Sequence, residues 1–122
     1  MTKPDILVAE DDAVLRSLYE KKFTLENFGV RTATDGEEVI RMIRERKPDV
    51  LLLDIHMPKA DGFQVLKEFP KVHRGFPVII LTNFDQAEFK LRALELGADD
   101  YFVKKDMTMR MLVEMVKRLL QL

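Results

Sequence analysis

Five short runs rich in aliphatic and β-branched residues, at about Asp5 to Ala9, Val30 to Ala33, Val50 to Leu53, Val78 to Leu81 and Asp100 to Val103, recur along the chain with segments of helical period between them. That alternation constrains the fold more than any other feature. Strands separated by helices cannot pair as hairpins, so they build a parallel sheet with right-handed crossovers and helices on both faces. Strands buried on both faces should read as continuously apolar, as "VLLL" and "VIIL" do. Both Asp-Gly pairs, Asp35-Gly36 and Asp61-Gly62, are followed by helical periodicity, which makes them helix starts and not hairpin turns.

The spacing of apolar residues also predicts which face each helix buries. In the first helix Val14, Leu18 and Leu25 are expected to face inward, with Gly29 closing it. The second is expected to open with a capping box in which Thr34 bonds the amide near Glu37, and to bury Val39, Ile40 and Ile43. In the fourth, Ala87, Leu91 and Leu94 form the expected inward stripe, leaving Phe89 and Leu96 partly outside it. The last helix can pack through Leu112, Val116, Leu119 and Leu120, so that Met109, Met111, Val113 and Met115 offer an adaptable apolar surface to water.

A chain of 122 residues with 47% hydrophobic content supports one core, so residues 1–122 are read as a single domain. Twenty basic against 21 acidic side chains leave a formal charge of −1, which recommends neither nucleic acid nor an anionic membrane as partner. The absence of cysteine removes disulfide scaffolds, thiolate zinc sites and cysteine nucleophiles together. No apolar stretch approaches the roughly 20 residues that span a bilayer, and the acid-broken start is not a signal peptide, so the expected setting is cytoplasmic.

The chemistry is concentrated where the strands stop. Glu10, Asp11 and Asp12 follow the first strand, Asp54 the third, Thr82 the fourth and Lys104 the fifth. In an open parallel sheet the ligand crevice lies outside these carboxyl ends. Carboxylates gathered there repel, by roughly 4 kcal/mol for two charges about 4 Å apart at an effective dielectric near 20. A hard divalent cation offsets that repulsion, and magnesium, which takes a few carboxylate oxygens and leaves positions for a phosphoryl group, suits it. Asp54 is then the natural nucleophile, able to form an aspartyl phosphate, with Lys104 as the neutralising cation and Thr82 as a hydroxyl donor. Each residue alone is more often a cap or a solvated strand end. Their conjunction at one edge points to a reaction site.

The blocks "ILVAEDD", "LLLDIHMPKADG", "VIILT" and "GADDYFVKK" resemble, in order and spacing, the signature blocks of the response-regulator receiver domain, from Ile6 to the last helix. The resemblance implies a doubly wound, flavodoxin-like α/β fold: one five-stranded parallel sheet in the order 2-1-3-4-5 with five helices. It implies that Asp54 accepts a phosphoryl group from a histidine kinase or phosphotransfer protein. Glu10, Asp11, Asp54 and the backbone carbonyl of His56 would bind Mg2+, with Asp12 a less essential acid. Thr82 and Tyr101 match the family's switch pair, and Lys104 the lysine that contacts the phosphoryl group. The output face implied is the fourth helix, fifth strand and fifth helix, available to a second copy or an effector. Such a domain is a switch that gains and loses its own phosphoryl group and not a turnover enzyme.

Three positions depart from the family's pattern. Lys105 stands where proline usually follows the lysine, and a cis bond before a non-proline residue costs roughly 3 to 4 kcal/mol, which favours a trans peptide there. Asn83 replaces a small residue after the switch threonine, and His56 sits where its side chain can overhang the site. His56 is one of two histidines, far in sequence from His73, so a histidine metal site ranks behind a solvated imidazole. One rival is a haloacid-dehalogenase-like phosphatase, which wants a second acid two residues after its nucleophile, where this chain has His56. The stronger rival is a receiver-like interaction module that takes no phosphate. No helix-turn-helix segment or basic stripe follows the last helix, so direct nucleic-acid binding is not expected.

Overall fold

The structure, a computed structural model, describes residues 2–122. Its elements run β1 (Asp5–Ala9), α1 (Ala13–Leu25), β2 (Gly29–Ala33), α2 (Gly36–Glu45), β3 (Val50–Asp54), α3 (Gly62–Glu68), a one-turn α4 (Lys71–Arg74), β4 (Val78–Thr82), α5 (Ala87–Glu95), β5 (Asp100–Val103), a 3₁₀ turn at Lys104–Asp106, and α6 (Met109–Leu120). All strand pairs are parallel, in the order β2-β1-β3-β4-β5. The expected α/β fold is therefore present, with one addition. Pro70, which cannot donate a backbone hydrogen bond, interrupts the third crossover and sits at the cap of the extra turn α4, which Gly75 closes at φ 75°.

The sheet divides two apolar layers by the alternation of its side chains. Leu7, Leu51, Leu53 and Ile80 pack with Val39 and Ile43 of α2, Phe63 and Leu66 of α3 and Ala93 of α5. Ile6, Leu52, Ile79 and Leu81 pack on the other face with Tyr19 and Phe23 of α1 and Leu112 and Val116 of α6. Every residue of β3 and β4 is buried, as their unbroken apolar runs predict.

Five local expectations are corrected. Helix α1 buries Tyr19 and Phe23 with Leu15 beside them, while Val14, Leu18 and Leu25 are 70%, 50% and 80% exposed. The aromatic series outweighs the aliphatic one because each ring removes more apolar area from water. The left-handed residue after α1 is Asn27, at φ 69°, and Gly29 instead opens β2, donating its N–H to the Pro4 carbonyl. The cap of α2 is Asp35, whose side chain accepts from the Glu38 amide; the Glu38 carboxylate reaches back to the Thr34 N–H. Helix α5 is turned over: Phe89, Ala93 and Leu96 pack inward, and Leu91 and Leu94 face water. In α6, Val113 joins Leu112 and Val116 in the core, and Met111 is exposed.

Candidate functional site

Strand register assembles the site. Ala9 lies beside Leu53, Asp54 beside Leu81 and Thr82 beside Val103, so Glu10, Asp54, Thr82 and Lys104 follow one another along the carboxyl edge. The loop after Asp54 folds back tightly: the Gly62 amide donates to the Ile55 carbonyl, and a Cβ at Gly62 would come within 2.7 Å of the Asp54 carbonyl oxygen. Only glycine permits that approach. Asp61 and Gln64 then close a capping box that starts α3.

At the centre the Lys104 ammonium lies 2.6 Å from Glu10 Oε1 and 3.2 Å from Asp54 Oδ2. Glu10 and Asp54 are 1% and 6% exposed, so two buried carboxylates share one ammonium. Burial pushes the Glu10 carboxyl above its ordinary value; hydrogen bonding with Asp54 adds to this, against the opposing pull of Lys104. Burial works to lower the Lys104 value, yet its hydrogen bond to Glu10 and the charges of Asp54 and Glu10 prevail and hold it raised, so the ammonium keeps its proton. Tyr19, beneath the cluster, is pushed up to about 12, chiefly by burial.

Asp11 adds a third acid: one oxygen from each of Glu10, Asp11 and Asp54 lies within 4.8 Å of the others. Three hard oxygens facing a single ammonium form a donor set compatible with a divalent cation. Asp12 belongs to α1 instead, its side chain accepting from the Val14 and Leu15 amides at 2.9 and 3.1 Å. Arg16, not singled out in the sequence, holds the acidic turn from behind through the carbonyls of Glu10 and Asp11, at 2.9 and 3.3 Å.

Thr82 is fully buried, and its Oγ1 accepts from the Phe84 amide at 3.1 Å. Tyr101, 8% exposed, donates its hydroxyl to the Phe84 carbonyl at 2.9 Å, and burial pushes its phenol upward. The two residues therefore meet at Phe84, a position the sequence reading passed over although an aromatic two residues past Thr82 was in view. The Phe84 ring lies 4.4 Å from that of His56, whose amide donates to Asp54 Oδ1 at 3.2 Å. The His56 ring is thus held by an aromatic contact at the rim and is no member of the acid group. Lys104 and Lys105 are joined by a trans peptide. Acids on one side and His56, Asn83 and Phe84 on the other enclose a cavity of about 360 Å³ with Asp54 and Lys104 in its wall. Among the described residues no helix is long and apolar enough to cross a membrane.

The sequence model of the family described as "Response regulator receiver domain" matches residues 6–117. A probable transcriptional regulator ycf27 of Guillardia theta is 41% identical over 103 residues, covering 84% of this chain and 40% of that protein. The transcriptional regulatory protein PrrA of Mycobacterium tuberculosis is 37% identical over 121 residues, 99% of this chain and 52% of that protein. This chain thus spans about half the length, or less, of these curated relatives. Among solved structures, the Francisella response regulator 1452 receiver domain superposes with a TM-score of 0.90 at 34% identity, covering 98% of both chains.

Proposed function

The chain belongs to the response regulator receiver domain family, whose members signal through phosphorylation of an aspartate and are switches, not turnover enzymes, and on that premise we propose that Asp54 is the acceptor and that residues 1–122 form one receiver domain. The observation that carries this reading is the Lys104 ammonium bridging Glu10 and Asp54 at the edge of the sheet. A phosphohistidine on a histidine kinase or phosphotransfer protein is the donor. An Asp54 carboxylate oxygen attacks its phosphorus in line, the N–P bond breaks, and the electron pair leaves with the donor imidazole.

Glu10, Asp11, Asp54 and the His56 backbone carbonyl would hold Mg2+, which supplies charge neutralisation for the transferring oxygens. Lys104 turns from its two carboxylates to a phosphoryl oxygen, a move favoured because the phosphoryl group carries more charge than the carboxylate it modifies. The Thr82 hydroxyl, whose oxygen accepts the Phe84 amide, donates its own proton to another phosphoryl oxygen and draws the loop after β4 with it. Tyr101, bonded to the Phe84 carbonyl, reports that movement on the α5, β5 and α6 face. Exposed Leu91 and Leu94 on α5 and Met111 on α6 suit that face to a second copy or an effector. A phosphoryl donor fed by ATP fits a cytoplasmic setting, and the transcriptional role in the relatives' names fits a transcriptional output.

Intact-mass measurement after acetyl phosphate and Mg2+ tests the proposal. One phosphate should be gained, and lost with a chelator or with Asp54→Asn. A parent protein that gains none is an interaction module, and labelling that survives Asp54→Asn removes Asp54 from the role.

A further inference from the structure

Lys105, the residue in the usual proline position, makes a contact that no reading of the acid cluster requires. Its ammonium lies 2.8 Å from Asp85 Oδ2. The pair joins the 3₁₀ turn after β5 to the loop of residues 83–86 between β4 and α5. That loop is the wall of the site's mouth, because Asn83 and Phe84 line the cavity. Phe84 is held four ways, by Thr82 Oγ1, by the Tyr101 hydroxyl and by the rings of His56 and Phe89. Beyond Phe84 the restraint thins out. Gln86 caps α5 with no side-chain hydrogen bond, and the side-chain hydrogen bond to Asp85 comes from Lys105.

We propose that the Lys105–Asp85 ion pair straps the β4–α5 loop across the mouth of the acceptor site, making Lys105 a positioning residue that sets how fast water and small phosphoryl donors reach Asp54. The consequence for Asp54 rests on the function proposed above; the strap itself does not. The hydrogen bond and charge of Lys105 hold the Asp85 carboxyl below its ordinary value, and Asp85 in turn raises Lys105, so both stay charged at neutral pH. Both side chains are well exposed, at 63% and 57%, so the pair is weak and salt-screened. A weak strap suits a loop that must move on phosphorylation, since a strong one would freeze it.

The test uses Lys105→Gln, Asp85→Asn and the charge-swapped double variant Lys105→Asp with Asp85→Lys. Hydrogen exchange of the Phe84 amide reads the loop, decay of the aspartyl phosphate reads access to Asp54, and calorimetric magnesium titration reads the acid cluster. Each single variant should speed both exchange and decay by about two- to fivefold, the range an exposed ion pair supplies. The swap should restore both, about 1 M salt should bring the parent to the single variants' rates, and magnesium affinity should stay unchanged. Unaltered exchange in the single variants, failure of the swap to restore it, or faster exchange without faster decay overturns the proposal. If the parent takes up no phosphate, the function proposed above fails, and the exchange measurements alone decide the strap.

Discussion

The two ends of the sheet both bury charge, and they do so to opposite effect. At the amino edge Arg74, 2% exposed, spends its guanidinium on a full set of partners: the carbonyls of Phe76, Phe69 and Gly97 and the carboxylate of Asp99, 2.6 Å away. Asp99 is satisfied in turn, accepting the Val78 amide at 2.8 Å and facing Lys71 at 3.3 Å. This cluster ties α4, the starts of β4 and β5 and the end of α5 into one unit. At the carboxyl edge, Glu10, Asp11 and Asp54 crowd about one ammonium. Charge that is fully paired makes a rigid joint, whereas carboxylates left short of partners form a donor set compatible with a divalent cation.

Removing the central cation from each cluster should separate them most. Arg74→Met takes from Asp99 its buried cation and leaves the carbonyls of Phe76, Phe69 and Gly97 without the guanidinium donor, and we expect a loss of about 3 to 5 kcal/mol in urea unfolding, with no recovery on adding magnesium. Lys104→Met leaves carboxylates that open onto a cavity and can recruit water, so the loss should be smaller, about 1 to 3 kcal/mol, and a divalent cation should restore part of it. Equal losses, or a magnesium rescue of Arg74→Met, would erase the distinction.

The contrast between the edges also explains how much could be read in advance. The sheet was legible because β3 and β4 are buried on both faces and admit only apolar residues until they end. The carboxyl edge was legible because a strand end exposes its residue type directly: Asp54, Thr82 and Lys104 each close or follow an apolar run. Arg74 was not, since a buried arginine has the same letter as a solvated one and its partners lie up to 25 residues away in sequence. Neither were the facings of α1 and α5. Leu15, Tyr19 and Phe23 compete there with Val14, Leu18 and Leu25, and Phe89 with Leu91, and only packing against the sheet decides between two apolar stripes.

Within the acid turn the same distinction operates between neighbours, and it gives the next largest effect. Asp12 is a saturated cap and Asp11 an exposed acid in a repelling group. Asp12→Ala should cost about 1 kcal/mol of stability in the metal-free protein, the usual value of an N-cap. Asp11→Ala should leave that stability unchanged or slightly higher, because a repulsion is removed, while magnesium binding by calorimetry weakens by about tenfold or more. A sharp loss of metal-free stability in Asp11→Ala would make Asp11 a structural residue and break the reading of the turn.

The smallest effect belongs to acid. At the amino edge the Glu26 carboxylate, just past the end of α1, accepts a hydrogen bond from Lys117 of α6 at 2.7 Å, and that bond and charge hold its carboxyl below the ordinary range. A carboxyl whose value is lower in the folded chain than in the unfolded one binds fewer protons when folded. Its contribution is therefore fully present above the ordinary carboxylate value and disappears as the pH falls through the lowered one. The joint between α1 and α6 should loosen only in acid, well below neutrality. Thermal melts of the parent and Glu26→Gln are expected to differ slightly at neutral pH and to converge in that acidic window, where both carry an uncharged side chain. Curves that already coincide at neutral pH would show that Glu26 acts by packing its stem, which glutamine keeps, and not by its charge, and the amino edge would then owe its firmness at this point to shape rather than to a completed ion pair.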